Sequence, residues 1–198
     1  MTATDVDTRE TAARPPVLYV IACGGRPAAH VPAFAARMMK DGWNVCVIAT
    51  PSAMKWLDSD VVRDLTGHVL RYEYKQPEEP DVLPSADAMV VAPATFNTIN
   101  KWAAGISDTL ALGLLNEGLG LDLPIVAVPF PNIALARHPA FQRSVKELRA
   151  LGVQLLFDPR VYPLPTPNMG PPSADLFPWS ALEATIAGLM KAPEPARD

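Results

Sequence analysis

Residues 86–108 read ADAMVVAPATFNTINKWAAGISD, and this stretch predicts a buried β-strand, a turn and an α-helix in succession. Residues 89–92 form the apolar run MVVA, which is typical of a parallel strand that is covered on both faces. Pro93 is expected to end the strand, because proline has no N–H group to donate to a neighbouring strand.

A helix is predicted to follow the turn. Thr95 and Asn97 are residue types that favour a helix N-terminus, because their side chains accept hydrogen bonds from first-turn amides. Ile99, Trp102 and Ile106 then recur at helical spacing. Unpaired N–H groups of this helix would lie at the carboxyl end of a strand, where open α/β sheets bind anions and cofactors. The alternative is an ordinary strand–turn–helix corner without a ligand.

Length and composition limit the classes of protein that remain. With 198 residues, of which 49% are hydrophobic, the chain is long enough for one domain with a substantial core. The net charge of −4, without a basic block, argues against nucleic acid or an anionic membrane as a partner. The sequence lacks an apolar run of membrane-spanning length and an N-terminal signal-peptide core, so a cytoplasmic location is expected.

The two cysteines, Cys23 and Cys46, are each flanked by strand-like apolar residues. Free buried thiols in a reducing compartment are therefore expected, rather than a disulfide framework. The same count gives no support for a metal site.

Apolar segments with strand and helix character alternate along the chain. This alternation predicts an α/β fold with a parallel, doubly wound sheet and helices on both faces. Residues 1–16 are expected to be a disordered tail, residues 17–190 a single domain and residues 191–198 a frayed tail. The predicted strands cover residues 17–22, 44–50, 69–74, 89–92, 124–129 and 153–157, and predicted helices outside the opening stretch cover residues 28–40, 51–57, 109–119, 140–151 and 179–190.

The pattern APAT-x-NTI-NK-x-A-x-GI-x-D, which begins at Ala92, resembles the PASANT-type motif of the flavoprotein decarboxylases. That family includes phosphopantothenoylcysteine decarboxylases and lantibiotic peptidyl-cysteine decarboxylases. The likeness covers residues 17–157 in order. It implies a Rossmann-like three-layer sandwich that binds FMN between the subunits of a homotrimer, or of a multiple of trimers.

The resemblance also assigns cofactor contacts. Gly24 matches the glycine of the family's first loop, and Thr50 with Ser52 matches its T-x-SA element. Gly25 replaces the loop serine but retains a backbone N–H group that can contact an anion. Ser52 either compensates for the lost hydroxyl or simply caps the following helix. The residues assigned to FMN are Gly24, Gly25, Thr50, Ser52, Pro93, Ala94, Thr95, Asn97 and Thr98.

The candidate catalytic residues depart from the family pattern. The decarboxylases carry a histidine fourteen positions before the proline of the motif, and that position is Glu79 here. Glu79 is either a base or a solvated loop acid, because an exposed glutamate stays ionised near neutral pH. The cysteine of the family's late substrate clamp also lacks a counterpart, since no cysteine follows Cys46.

The family's substrate loop reads P-x-M-N-x-x-M-W-x-x-P, and residues 129–139 keep its length and its asparagine, Asn132. Asn132 is expected to donate a hydrogen bond to a carboxylate or amide. Arg137 and His138 add polar groups, and Arg137 is either a carboxylate clamp or an ordinary surface arginine. The family's two methionines and its tryptophan are replaced by Pro131, Leu135 and Ala136.

Three functional hypotheses follow from the resemblance. The first is an FMN-dependent, decarboxylase-like enzyme that acts on a cysteine-like or small carboxylate substrate, either a small molecule or a peptide. The second is a non-catalytic FMN-binding or regulatory protein. The third is a relative of the flavin prenyltransferases, which would need a basic prenyl-phosphate site that the sequence does not display.

Overall fold

Five parallel strands form one sheet in the order β2-β1-β3-β4-β5. The structure is a computed structural model that describes residues 14–76, 78–80, 82–158, 163–167 and 177–189. The strands are β1 Val17–Ala22, β2 Asn44–Ala49, β3 Ala88–Ala94, β4 Ile125–Pro129 and β5 Gln154–Leu155.

Helices connect successive strands within the described ranges. Short 3₁₀ helices, Arg26–His30 and Pro51–Trp56, begin the segments that follow β1 and β2. The α-helices are α1 Val31–Lys40, α2 Ser59–Thr66, α3 Phe96–Ala103, α4 Leu110–Gly120, α5 Ile133–Ala136, α6 Pro139–Ala150 and α7 Trp179–Leu189. None of these helices is long and apolar enough to cross a membrane.

The sheet has a hydrophobic core on each face. Along β1, Leu18 and Val20 join the core beneath α1, α2 and α7, whereas Tyr19 and Ile21 join the core beneath α3, α4 and α6. Alternate residues of a strand point to opposite faces, so a strand that is apolar throughout needs cover on both sides. The predicted doubly wound α/β fold is therefore confirmed.

The boundaries of α3 follow from its end residues. Thr95 is the N-cap, and its Oγ1 accepts a hydrogen bond of 3.3 Å from Thr98 N, as predicted. Gly105 takes a φ of +69°, and Ile106 N donates to Lys101 O at 2.9 Å, which closes the helix. The expectation that Ile106 lies on the helix's apolar face is wrong, because the helix has already ended and Ile106 is exposed.

The prediction that Pro93 ends its strand is also wrong. β3 continues through Pro93 to Ala94, with a register shift between Val91 and Ala94. Proline lacks only the donor, and the Pro93 carbonyl still accepts a hydrogen bond of 3.1 Å from Cys23 N. The strand therefore reaches two residues further toward the candidate site than expected.

Residues 69–74 do not form the predicted strand. Only a single bridge remains, in which Ala49 N donates to Arg71 O at 2.8 Å. The chain then leaves the sheet edge, and the Tyr74 hydroxyl lies within hydrogen-bonding distance of the Ser107 and Thr109 carbonyls, at 3.3 and 3.2 Å.

Two helices, α2 and α5, were not predicted from the sequence. α2 is capped by Asp58, whose carboxylate accepts from Asp60 N at 2.9 Å, and it ends at Gly67 with a φ of +74°. These are ordinary start and stop signals that the sequence displays. The other, α5, is a single turn inside the predicted substrate loop.

The predicted termini fall mainly outside the described residues, which exclude 1–13 and 190–198. Arg14 and Pro16, which the sequence analysis assigned to the tail, contact the sheet. Arg14 pairs with Asp87 at 2.8 Å, and Pro16 O accepts from Asn44 N at 2.8 Å. Most of the proline-rich segment 158–178 likewise lies outside the described ranges.

Both cysteines are free and buried, as predicted. Burial raises the pKa of the Cys46 thiol from 9.0 to about 12. Between these pH values the unfolded thiol ionises while the folded thiol keeps its proton, so this group lowers the free energy of unfolding by about 1 kcal/mol per pH unit as the pH rises.

We expect Cys46→Ala to show a shallower decline in urea-unfolding free energy above pH 9. Parallel declines in the two proteins would contradict this.

Candidate active site

Hydrogen bonds that extend the sheet past its strand ends hold the loops of the candidate site. Thr50 N donates to Ala22 O at 2.9 Å, which joins the loop after β2 to β1. Phe130 N donates to Ala94 O at 2.8 Å, which joins the loop after β4 to β3. Together with the Cys23–Pro93 bond, they fix the loops after β1, β2 and β4 to neighbouring strand ends at the carboxyl edge.

This edge contains the topological switch point of the sheet. The chain moves from β1 outward to β2, and then returns to place β3 on the other side of β1. Loops after β1 and β3 therefore diverge to opposite faces and leave a crevice, which is where open α/β sheets bind ligands. All nine residues that the resemblance assigned to FMN lie at the ends of β1, β2 and β3 or in the first turn of α3.

The loop after β1 is packed closely against the loop after β2. A Cβ atom on Gly24 would lie 2.8 Å from Ser52 Cβ and 2.9 Å from Ser52 O. Gly24 is therefore required by a close backbone approach. A Cβ atom on Gly25 would meet only ordinary contacts, the nearest being Pro93 Cγ at 3.6 Å.

Backbone donors face this crevice without partners. Within the described part of the chain, the amides of Gly24 and Gly25 donate no hydrogen bond. The same holds for Phe96 N and Asn97 N, which are in the first turn of α3. Free amides at a helix start form an electropositive surface that favours an anion or a polar ring edge.

Hydroxyl groups line the crevice on two sides. Thr50 Oγ1 and Ser52 Oγ are 3.2 Å apart, and Thr50 Oγ1 also lies 3.4 Å from Ala22 O. On the opposite side, Thr95 Oγ1 and Thr98 Oγ1 are 3.0 Å apart. Thr50 and Thr98 are buried, whereas Ser52 and Asn97 are exposed and available to a ligand.

Cys23 lies beneath this crevice and was not predicted to belong to it. Burial raises the pKa of the Cys23 thiol, and hydrogen bonds from the Thr98 side chain and the Thr95 backbone oppose that rise only in part. The thiol therefore stays protonated near neutral pH and packs as a small apolar group. A strand-end cysteine has no sequence signal that would distinguish this position.

Asn132 lies in the loop after β4 and caps α5. Its Oδ1 accepts a hydrogen bond of 2.9 Å from Leu135 N. In the described residues its Nδ2 has no acceptor, so the donor predicted for a substrate carboxylate remains available. The preceding Pro131 is buried and forms part of the loop's support.

His138 caps α6 instead of standing free. Its Nδ1 accepts a hydrogen bond of 3.1 Å from Ala140 N, and its ring meets Phe96 edge-on with 5.6 Å between centroids. Phe96, which was not predicted, also stacks on Phe141 at 5.9 Å. The aromatic contacts connect the first turn of α3 with α6, so they fix one side of the crevice relative to the helix that follows the candidate substrate loop.

The remaining two candidates, Glu79 and Arg137, have no hydrogen bond to the residues of the crevice within the described part of the chain. Glu79 is exposed, and its carboxylate accepts a hydrogen bond of 3.1 Å from Gln76 N in its own loop. Its hydrogen bonds in the described residues do not connect it with Asn132 or with the β3–α3 corner. Arg137 follows α5 and lines a cavity beside it.

The family model named Flavoprotein matches residues 7–191. The chain belongs to the Flavoprotein family. Among curated relatives, the coenzyme A biosynthesis bifunctional protein CoaBC of Bacillus subtilis is 30% identical over 122 residues, which cover 59% of this chain and 29% of that protein. Phosphopantothenoylcysteine decarboxylase of Mus musculus is 39% identical over 67 residues, covering 34% of this chain and 32% of that protein.

The chain spans less than a third of the length of these curated relatives. A solved structure matches it over nearly all of its length. The FMN-dependent cysteine decarboxylase SpaF is 25% identical, with a TM-score of 0.68 over 91% of this chain and 99% of that one. Flavoprotein membership and the Rossmann-like fold implied by the sequence motif are thus confirmed.

Substitution at Gly24 tests the close packing of the crevice. We expect Gly24→Ala to destabilise the protein by about 1–3 kcal/mol, because its new Cβ meets the Ser52 backbone. Gly25→Ala is the matched control and should leave the denaturant midpoint nearly unchanged, since its Cβ meets only ordinary contacts. Equal midpoints for the two variants would show that the loops do not approach as described.

Proposed function

We propose that the chain is an FMN-dependent, decarboxylase-like enzyme that acts on a cysteine-like or small carboxylate substrate. The observation that carries this proposal is the set of free amides at Gly24, Gly25, Phe96 and Asn97 around the switch point. Family membership and the likeness to SpaF support FMN as the cofactor.

The crevice fits FMN by the chemistry of its donors. The amides of Gly24 and Gly25 would hold the phosphate, because their N–H groups are unpaired and lack bulky side chains. Ala94 and Pro93 provide a compact, buried wall against a planar ring. Thr95 and Asn97 would supply hydrogen bonds to its polar edge.

FMN supplies a two-electron acceptor when it is bound. Asn132 would orient the substrate by donating from Nδ2 to its carboxylate, while Oδ1 remains committed to the cap of α5. The Phe96–His138 contact holds the start of α6 against the first turn of α3. In this proposal the reaction proceeds without the histidine and the late cysteine that the sequence resemblance leads us to expect in the family.

A non-catalytic flavin-binding protein is the second candidate. It is favoured by Glu79, which the resemblance aligns with the family's histidine and which is exposed and accepts a hydrogen bond from Gln76 N. A general base must lie within hydrogen-bonding reach of the proton that it abstracts, whereas the hydrogen bond of this carboxylate is to Gln76 N in its own loop. The two candidates predict the same cofactor and differ only in turnover.

The deciding experiment is anaerobic. We expect the purified protein to show flavin absorbance, and to lose it while releasing CO2 when a cysteine-terminated peptide or phosphopantothenoylcysteine is added. A yellow protein that is inert to thiols would favour the non-catalytic candidate. A colourless protein that cannot be reconstituted with FMN would overturn both.

Asn132→Asp tests the substrate role without disturbing the fold. Aspartate keeps the oxygen that caps α5 but replaces the Nδ2 donor with a negative oxygen. We expect roughly a tenfold or greater loss in the rate of CO2 release, because a charged hydrogen bond becomes a repulsion. The thermal midpoint and the flavin absorbance should stay unchanged. Unaltered turnover would remove Asn132 from the site.

We also propose that the protein is cytoplasmic and forms a homo-oligomer, a trimer or a multiple of trimers. Beside α4 the described surface carries an apolar groove of about 410 Å³ that includes Leu114, Val82 and Leu121. Leu121 is 63% exposed and Val82 47%, which is unfavourable for a surface left in water. The large apolar side chains of Trp102 and Leu112 are buried within the chain and are not available to such an interface. Sedimentation should give a trimeric mass, and a monomer with bound flavin would contradict this.

A further inference from the structure

A cavity of about 370 Å³ lies beside α5, at the side of the candidate substrate loop. Its volume falls within the range of about 300–1,000 Å³ that is usual for small-molecule sites. Most of its wall is apolar, and Arg137 is the only charged residue among the described ones that line it. The wall includes Ile133, Ala136, Phe157 and Leu164.

Arg137 brings an uncommitted cation to this cavity. Its side chain is exposed, and within the described part of the chain it forms no ion pair or side-chain hydrogen bond. The other polar residue of the wall is Gln142, whose side-chain amide nitrogen Nε2 already donates a hydrogen bond to Ala136 O. The guanidinium can therefore pair bidentately with a carboxylate at no cost in existing bonds.

The walls of the cavity are held by contacts outside it. Ile133 N donates to Pro165 O at 2.9 Å, which joins α5 to the segment 163–167. Phe157 packs edge-on against Phe141, with 5.4 Å between ring centroids. A wall fixed by these contacts is formed before a ligand arrives, so binding need not order it.

The cavity adjoins the proposed substrate donor. Asn132 caps α5 and Arg137 ends it, so the two residues are separated by a rise of about 7.5 Å along the helix axis. A group held at Asn132 would need only a short arm to reach the cavity. Ala136 leaves room for this arm, because it contributes one methyl group to the wall.

We propose that this cavity is a specificity site for an apolar arm that carries a carboxylate, and that Arg137 is its specificity-determining residue. The single guanidinium matches a monoanion, whereas a phosphate dianion would leave one charge uncompensated. The assignment of the arm to a substrate rests on the proposed function. Binding of the carboxylate by the cavity does not require a flavin.

The test uses 3-phenylpropionate and its neutral amide as probes, titrated calorimetrically into the purified full-length protein. We expect the carboxylate to bind about tenfold more tightly than the amide. Arg137→Gln should abolish this preference. Arg143→Gln is the matched control, because Arg143 is exposed on α6 and does not line the cavity, and it should retain the preference.

A second variant tests the cavity itself. Ile133→Trp places a large side chain at a residue that is 38% exposed in the wall, so the fold should tolerate it and both probes should bind more weakly. Equal affinities for acid and amide in the native protein, or a preference that survives Arg137→Gln, would overturn the proposal. The flavin absorbance of the same samples separates the two claims, since a colourless protein with an intact carboxylate preference fails only the proposed function.

Discussion

The hydrogen bond of 3.1 Å from Cys23 N to Pro93 O connects the loop after β1 to the end of β3, the two strands that flank the switch point. It forms because β3 continues past its apolar run and presents the Pro93 carbonyl to the residue after β1. Equivalent bonds at Thr50 and Phe130 tie the neighbouring loops to the same edge. The position of every candidate cofactor donor depends on these backbone bonds, which side-chain changes leave in place.

The candidate cofactor site is formed mainly by backbone amides rather than by side chains. The donors at Gly24 and Gly25 are backbone N–H groups, so their capacity to bind an anion does not depend on the identity of a side chain in this loop. In the proposed function, reaction and specificity depend instead on the side chains of Asn132, in the loop after β4, and Arg137, at the end of α5.

Much of the fold could be predicted from local signals. Apolar runs located the central strands, and the hydroxyl of Thr95 located the start of α3. The strand predicted for residues 69–74 was wrong, because an edge segment with one bridge shows the same alternation of apolar and polar residues as a paired strand. The cavity at Arg137 was beyond sequence reasoning, because its wall joins α5 with Phe157 and Leu164, which are distant along the chain. The contact of Phe96 with His138 depends likewise on how α3 and α6 pack.

The most direct test of the central claim is the amide NMR spectrum of the apoprotein during titration with FMN. The account predicts that the largest shifts fall on Gly24, Gly25, Phe96 and Asn97, whose N–H groups are unpaired at the switch point. Shifts confined to the groove beside α4, or no saturable shift at all, would contradict a flavin site at this edge of the sheet.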